Sequence, residues 1–245
     1  MHLNMAQKMI ARSELSPQTA ELIQANWGAF CLGQIAADYQ QLCDTMRRTT
    51  HFYKTPPEPG DYAAFERMLE QNPQMTDWGR LSPAEAVFIA GYGSHLFYDL
   101  DWFHNIVITF VVGDWGDRKA RFIDHNTLLA HEDQQSLPLI ERGTGEAILA
   151  VQSAGWLPFD PDNNLKQWQE LVGRQLLPGA EIETLNIFSG RMDISAAELA
   201  HRVSTPDWMQ EHIFAHVPRD LIDGVFENSL VKGIDLIEDY LGNIR

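Results

Sequence analysis

Apolar residues recur at spacings of three and four along almost the whole chain, and strict apolar–polar alternation is scarce. The groups Leu22, Ile23 and Trp27, then Phe65, Met68 and Leu69, then Leu221, Ile222, Val225 and Phe226 carry the pattern. A helix brings every third or fourth side chain to one face, whereas a strand brings every second, so this spacing predicts an all-α fold. Helix starts are expected at Ser16-Pro17, at Asp61, at Ser82-Pro83 with Glu85 three residues beyond Ser82, and at Pro218-Arg219. Ser, Asp and Pro stand there where the first N–H groups of a helix lack partners. Loops are expected at 56–60, 72–73, 113–116, 143–145 and 158–164, where Pro and Gly collect. The segment from Ile182 to Ile194 reads as briefly extended, although it lacks a partner strand of comparable strength.

The 245 residues suffice for one large domain or two modest ones. The segment Pro158 to Asn164 marks a soft boundary, so residues 1–155 read as a histidine-bearing domain and 156–245 as a helical region of unknown role packed on it. A formal charge of -16 repels nucleic acid and anionic lipid. Cys31 and Cys43 show no C-x-x-C pattern and read as reduced thiols. The N-terminal segment has no continuous apolar stretch of the secretory kind, and the longest apolar run, around Ile106 to Val112, falls far short of the roughly 20 residues a membrane span needs. A soluble, cytoplasmic protein without stable membrane insertion is therefore expected, and a homo-oligomer is compatible with the sequence.

The helix beginning near Ser82 carries His95 and Asp99 at i and i+4. That spacing stacks two side chains on one face, where they can grip a single cation, although such a pair also serves as an ordinary hydrogen bond. Ala90, Gly91, Gly93 and Ser94 precede it, and glycine inside a helix costs about 1 kcal/mol against alanine. A close approach of backbone or ligand is expected in compensation. Upstream stand Asp38 after an apolar, small-residue run, His51 at the mouth of a Pro-rich loop, and His2 in the first helix. Taken singly these read as a cap, a loop histidine packed on Phe52 and Tyr53, and a frayed terminus.

Taken together, the order His2, Gly33-x-Ile-Ala-x-Asp38, Thr50-His51-Phe52-Tyr53 and Gly91-Tyr-x-Ser-His95-x-x-x-Asp99 resembles the zinc-dependent phospholipase C family, particularly its intracellular bacterial relatives, over about residues 1–130. The resemblance implies a phospholipase C/P1 nuclease-like helical fold, here with additional C-terminal helices. It implies a site of one or two zinc ions that hydrolyses a phosphoester. It further implies that Asp38, His51, His95 and Asp99 ligate one zinc, that Asp99 bridges to a second held by His2, and that Asp38 handles the proton of the attacking water. The substrate would be a small phosphoester or a phospholipid.

The departures from that family are specific. Met1-His2 stands where secreted members have a metal-binding Trp, and Ala37 where the family has Pro. The family's further zinc uses a His-x-x-x-Glu pair; here His104, His125, His131 and Glu132 are on offer, but Leu129 follows His125 at i+4, so that site is expected to be absent or rebuilt. These losses motivate the alternative of a non-catalytic helical binding or assembly protein that keeps a structural or degenerate metal site. A phosphohydrolase of the HD class needs an adjacent His-Asp pair, whereas the order here is Asp124-His125. His201, His212 and His216 read as surface or packing histidines, and the G-x-S-x-G, P-loop and dinucleotide signatures are missing.

Overall fold

The chain is all-α, and the computed structural model, which describes residues 1–160, 163–180 and 183–243, has no strand among them. In chain order the helices are α1 (His2–Ile10), α2 (Pro17–Ala25), α3 (Trp27–Ala36), α4 (Arg47–His51), α5 (Ala64–Gln71), α6 (Pro83–Trp102), α7 (Ile108–Val112), α8 (Arg118–Ser136), α9 (Thr144–Leu149), α10 (Asn164–Gln175), α11 (Thr184–Met192), α12 (Ala196–Ser204), α13 (Pro206–Met209) and α14 (Arg219–Gly242). The starts behave as their chemistry demands. Ser16 caps α2, Ser82 and Glu85 close a reciprocal capping box on α6, and Pro218 precedes α14. Asp61 does not start a helix directly: it accepts from Ala63 N–H and pairs with Arg67, and α5 begins at Ala64.

The axis of the molecule is α6, which is buried almost all round and packs chiefly on α3 and α14. Its glycines are explained by close approach. A Cβ on Gly91 would lie 2.6 Å from the Phe30 carbonyl oxygen, one on Gly33 would strike the Phe88 carbonyl, and one on Gly93 would meet the Phe65 ring at 2.8 Å. Two helix backbones thus touch where Gly33 crosses Gly91, and packing gained across α3 and α6 offsets the propensity cost of the glycines. A π-turn at Phe103–Val107 carries α6 into α7, whose Val111 and Val112 are exposed.

One buried core runs across residue 155. The Trp168 indole N–H donates to the Ile35 carbonyl at 2.7 Å, and the Phe159 ring meets Phe52 edge-on at 5.1 Å between centroids. Within 158–164, Asp160 accepts from the N–H groups of Asn164 and Leu165 and so caps α10; Pro161 and Asp162 lie outside the described residues. A smaller cluster of Ala130, Met192, Leu199 and Val203 joins α8, α11 and α12. The expectation of an extended segment at 182–194 is corrected: residues 184–192 form α11, while Ile182 lies outside the described residues. Leu185, Phe188 and Met192 recur at helical spacing, and Met192 is buried in that cluster, so tertiary packing decides in favour of the helix.

Candidate metal centre

The five residues marked in the sequence come from four separate elements and meet at one point. His2 comes from α1, Asp38 from the 3₁₀ turn that follows α3, His51 from the last position of α4, and His95 with Asp99 from adjacent turns of α6. Asp99 lies at the middle: its carboxylate oxygens are 3.7 Å from His2 Nε2, 3.2 Å from His51 Nε2 and 3.8 Å from His95 Nε2. Asp38 is 3.8 Å from His51 Nε2. Donor atoms of His2, His95 and Asp99 fall within 4.8 Å of one another, as do those of Asp38, His51 and His95, so His95 and the carboxylates define two adjoining donor sets. The His2 and His95 rings stack at 4.0 Å.

Local structure fixes which way the rings face. Because Gly33 and Gly91 let α3 and α6 touch, the Gln34 carbonyl comes within 2.7 Å of His95 Nδ1. A carbonyl only accepts, so Nδ1 carries the proton and the Nε2 lone pair faces Asp99. His51 is handled similarly: the Thr50 hydroxyl donates to the Arg47 carbonyl and is left to accept from His51 Nδ1 at 2.8 Å. Tyr92 Oη donates to the Thr50 carbonyl at 2.6 Å, which anchors α4 to α6. The short helix ends at Phe52, in the left-handed region with φ 57°, and this turns the chain away beneath His51.

His51 Nε2 and His95 Nε2 are fully buried and make no hydrogen bond. With the protons on Nδ1, each presents a lone pair to a carboxylate oxygen, an arrangement of acceptors facing acceptors that a cation would relieve. Burial pushes the His51 and His2 imidazoles below their ordinary pKa, and for His51 the positive charge of Arg47 adds to it. Both are held neutral, the state a metal ligand requires. Burial works against charge on Asp99, but the Arg47 guanidinium beside it holds its carboxyl well below the usual range. Neutral imidazoles and ionised carboxylates are the donor set of zinc and similar divalent ions, so the residues present fit such an ion.

Two neighbours of the donor cluster, Arg47 and Tyr53, are not marked as site residues by the sequence motifs. Arg47, one helical turn before His51, forms an ion pair with Asp99, approaches Asp38 at 3.8 Å, and donates to Tyr53 Oη at 2.9 Å. Burial disfavours its charge, yet Asp99, Tyr53 and Asp38 raise its pKa overall. Burial and the Asp99 charge likewise raise that of Tyr53, which stays a neutral phenol. The i, i+4 relation of Arg47 to His51 carries no such signal by itself, because the Asp99 contact that gives it meaning is long-range.

The centre opens into a cavity of about 550 Å³. His2, Asp38, Arg47, Tyr53 and Asp99 form its polar end, and Leu3, Ile35, Trp102, Leu129, Trp168 and Val172 are among its apolar walls. The wall includes α10 and α11, which bring Gln175, Phe188 and Arg191 from the C-terminal region. No sequence motif announced that contribution.

The remaining histidines are engaged elsewhere. His104 Nε2 bonds to the Asp61 carbonyl at 3.0 Å, and His131 Nδ1 to the Val203 carbonyl at 3.1 Å. His125 accepts from the Trp102 indole at 3.3 Å. Glu132 pairs with Arg219 of α14. His216 stacks on Trp115 and His212 on Trp208. Among the described residues, none of these belongs to a second donor cluster.

No protein-family model, curated protein or solved structure matches the chain. No helix among the described residues is long and apolar enough to cross a membrane.

Proposed function

We propose that this protein is a zinc-dependent phosphoester hydrolase of the phospholipase C-like kind, acting in the cytoplasm on an ester whose organic group is apolar, and that its helices follow the phospholipase C/P1 nuclease-like arrangement. One observation carries the reading: five donor residues from four elements converge, with two fully buried imidazole lone pairs left without a hydrogen bond, at the polar end of a cavity whose wall is more apolar than polar.

His51, His95 and Asp99 are the core of the donor set, with His2 on one side and Asp38 on the other. When bound there, zinc supplies Lewis acidity toward water and toward phosphoryl oxygen. The chain's own groups do the rest. The Gln34 carbonyl and the Thr50 hydroxyl keep the two rings in the ligating tautomer. Asp38, at 3.8 Å from His51 and partly open to the cavity, takes the proton of the attacking water. The apolar walls orient the organic group and exclude bulk water from the polar end.

The test is elemental analysis of protein purified without chelator or affinity metal, beside His95→Ala, with hydrolysis of bis-p-nitrophenyl phosphate and of p-nitrophenyl phosphate as the activity readout. We expect about one or two zinc ions per chain, lost in the variant together with turnover. Absence of stoichiometric metal in the wild type would sink the reading. Metal without turnover of either ester would leave a binding protein with a structural ion.

A further inference from the structure

The only arginines on the cavity wall are Arg47 and Arg191, among the described residues, and they reach it from opposite ends of the chain. In a chain with 34 acidic and 18 basic residues, a guanidinium facing a cavity would be expected to find a carboxylate. Arg191 makes no ion pair among the described residues. Its guanidinium lies on the Gln41 amide oxygen and over the Phe188 ring, 5.0 Å from the ring centre. Gln41 and Phe188 are themselves on the wall, so the group is held at the rim by a neutral acceptor and an aromatic face, with N–H donors to spare. The desolvation that this packing brings lowers the Arg191 pKa, Asp38 opposes it and Arg47 adds to it, so the group lies within electrostatic reach of the centre.

Arg47 is placed differently. It lies on Asp99 and near Asp38, the carboxylates that a cation would neutralise. One divalent ion matches the charge of those two aspartates. Two guanidiniums then remain uncompensated, Arg47 at the polar end and Arg191 at the rim within its electrostatic reach, and Tyr53 keeps Arg47 in place through the bond to its hydroxyl.

From this juxtaposition we infer that Arg47 and Arg191 form a subsite for a dianionic phosphoryl group, so that the protein selects a phosphomonoester over a diester and the C-terminal region supplies half of the selectivity. The inference rests on the hydrolase reading above and names its substrate class. Paired guanidiniums suit a terminal phosphate because each offers two parallel N–H donors to oxygens that a diester has lost to esterification. The apolar wall beyond is left for the alcohol part of the ester.

The experiment is calorimetric titration of zinc-treated wild type, Arg191→Gln and Arg191→Lys with methyl phosphate and with dimethyl phosphate, with metal content measured on each sample. Arg191 stands at the exposed rim, so the variants are expected to keep the wild-type circular dichroism. The expected result is tighter binding of methyl phosphate than of dimethyl phosphate by wild type, about tenfold weaker methyl phosphate binding by Arg191→Gln, and partial recovery in Arg191→Lys. Metal content should be equal in all three. Wild-type affinity in Arg191→Gln, equal affinity of wild type for the two esters, or no binding of either would each overturn the subsite. The metal content decides the hydrolase reading separately, because protein without metal fails that reading whatever the phosphate titration returns.

Discussion

Two groups of histidines occupy this molecule, and the contrast between them is chemical rather than numerical. His2, His51 and His95 converge on Asp99 and Asp38 with lone pairs unspent, while His104, His125 and His131 each meet a carbonyl or an indole N–H. Both groups contain three rings, and both lie on or near α6 and α8 or their neighbours. In the first, Asp99 and Asp38 lie at the centre and the outer nitrogens of His51 and His95 are already committed to the Thr50 hydroxyl and the Gln34 carbonyl, the arrangement a ligand set would need and packing would not. The second group is the one from which the family resemblance would have built a further zinc site, and its rings are consumed by structural bonds.

The contrast can be sharpened by acid. Burial lowers the His125 pKa from 6.5 to about 4, with no carboxylate to oppose it. The unfolded chain therefore binds a proton that the folded chain resists, so the stability is intact above pH 6.5 and falls as pH drops from 6.5 toward 4. The loss should approach about 3 kcal/mol by pH 4. His125→Gln keeps an acceptor for Trp102 but cannot titrate. Urea unfolding at pH 7.5 and pH 4 should show a smaller acid loss in the variant by that amount, and parallel losses would refute the assignment.

A second, smaller effect probes the ligand group. Thr50→Val is nearly isosteric and removes the acceptor that holds the His51 proton on Nδ1. Zinc affinity, measured against a chromophoric chelator, should fall about tenfold with no change in helix content. Unchanged affinity would mean that the tautomer is set by something other than the Thr50 hydroxyl. The smallest effect is expected at His131→Ala. Loss of the bond to the Val203 carbonyl should cost about 1 kcal/mol in thermal or urea unfolding and leave zinc content at the wild-type value. Loss of metal there would erase the distinction between the two groups.

The helical class and most helix starts were legible because periodicity and caps are local. Ser82 with Glu85, for example, needs nothing beyond its own turn to act. The five donor residues were legible only together, through the resemblance of their order along the chain to that of a known family, since singly they read as a cap, a loop histidine, a frayed terminus and a helix pair. Arg47 and Tyr53 were hidden in plain view, since an arginine four residues before a histidine means nothing until Asp99 is folded against it. Arg191 was out of reach altogether: residues 184–192 read as extended, and only packing of α11 on α8 brings the guanidinium to the cavity. The start of α5 was misplaced because Asp61 spends its carboxylate on Arg67 as well as on Ala63 N–H.

The crossing of Gly33 and Gly91 works as a gauge. The distance between two backbones there is set by the absence of two methyl groups, and the Gln34 carbonyl stands at the far end of that gauge, where His95 Nδ1 reads it. Thickening the crossing by a single carbon moves the carbonyl off the ring and frees it to turn. The donor cluster can therefore be disordered by a substitution that removes no donor atom and changes no charge, so in this fold the residues on which the arrangement depends outnumber those that supply a donor atom.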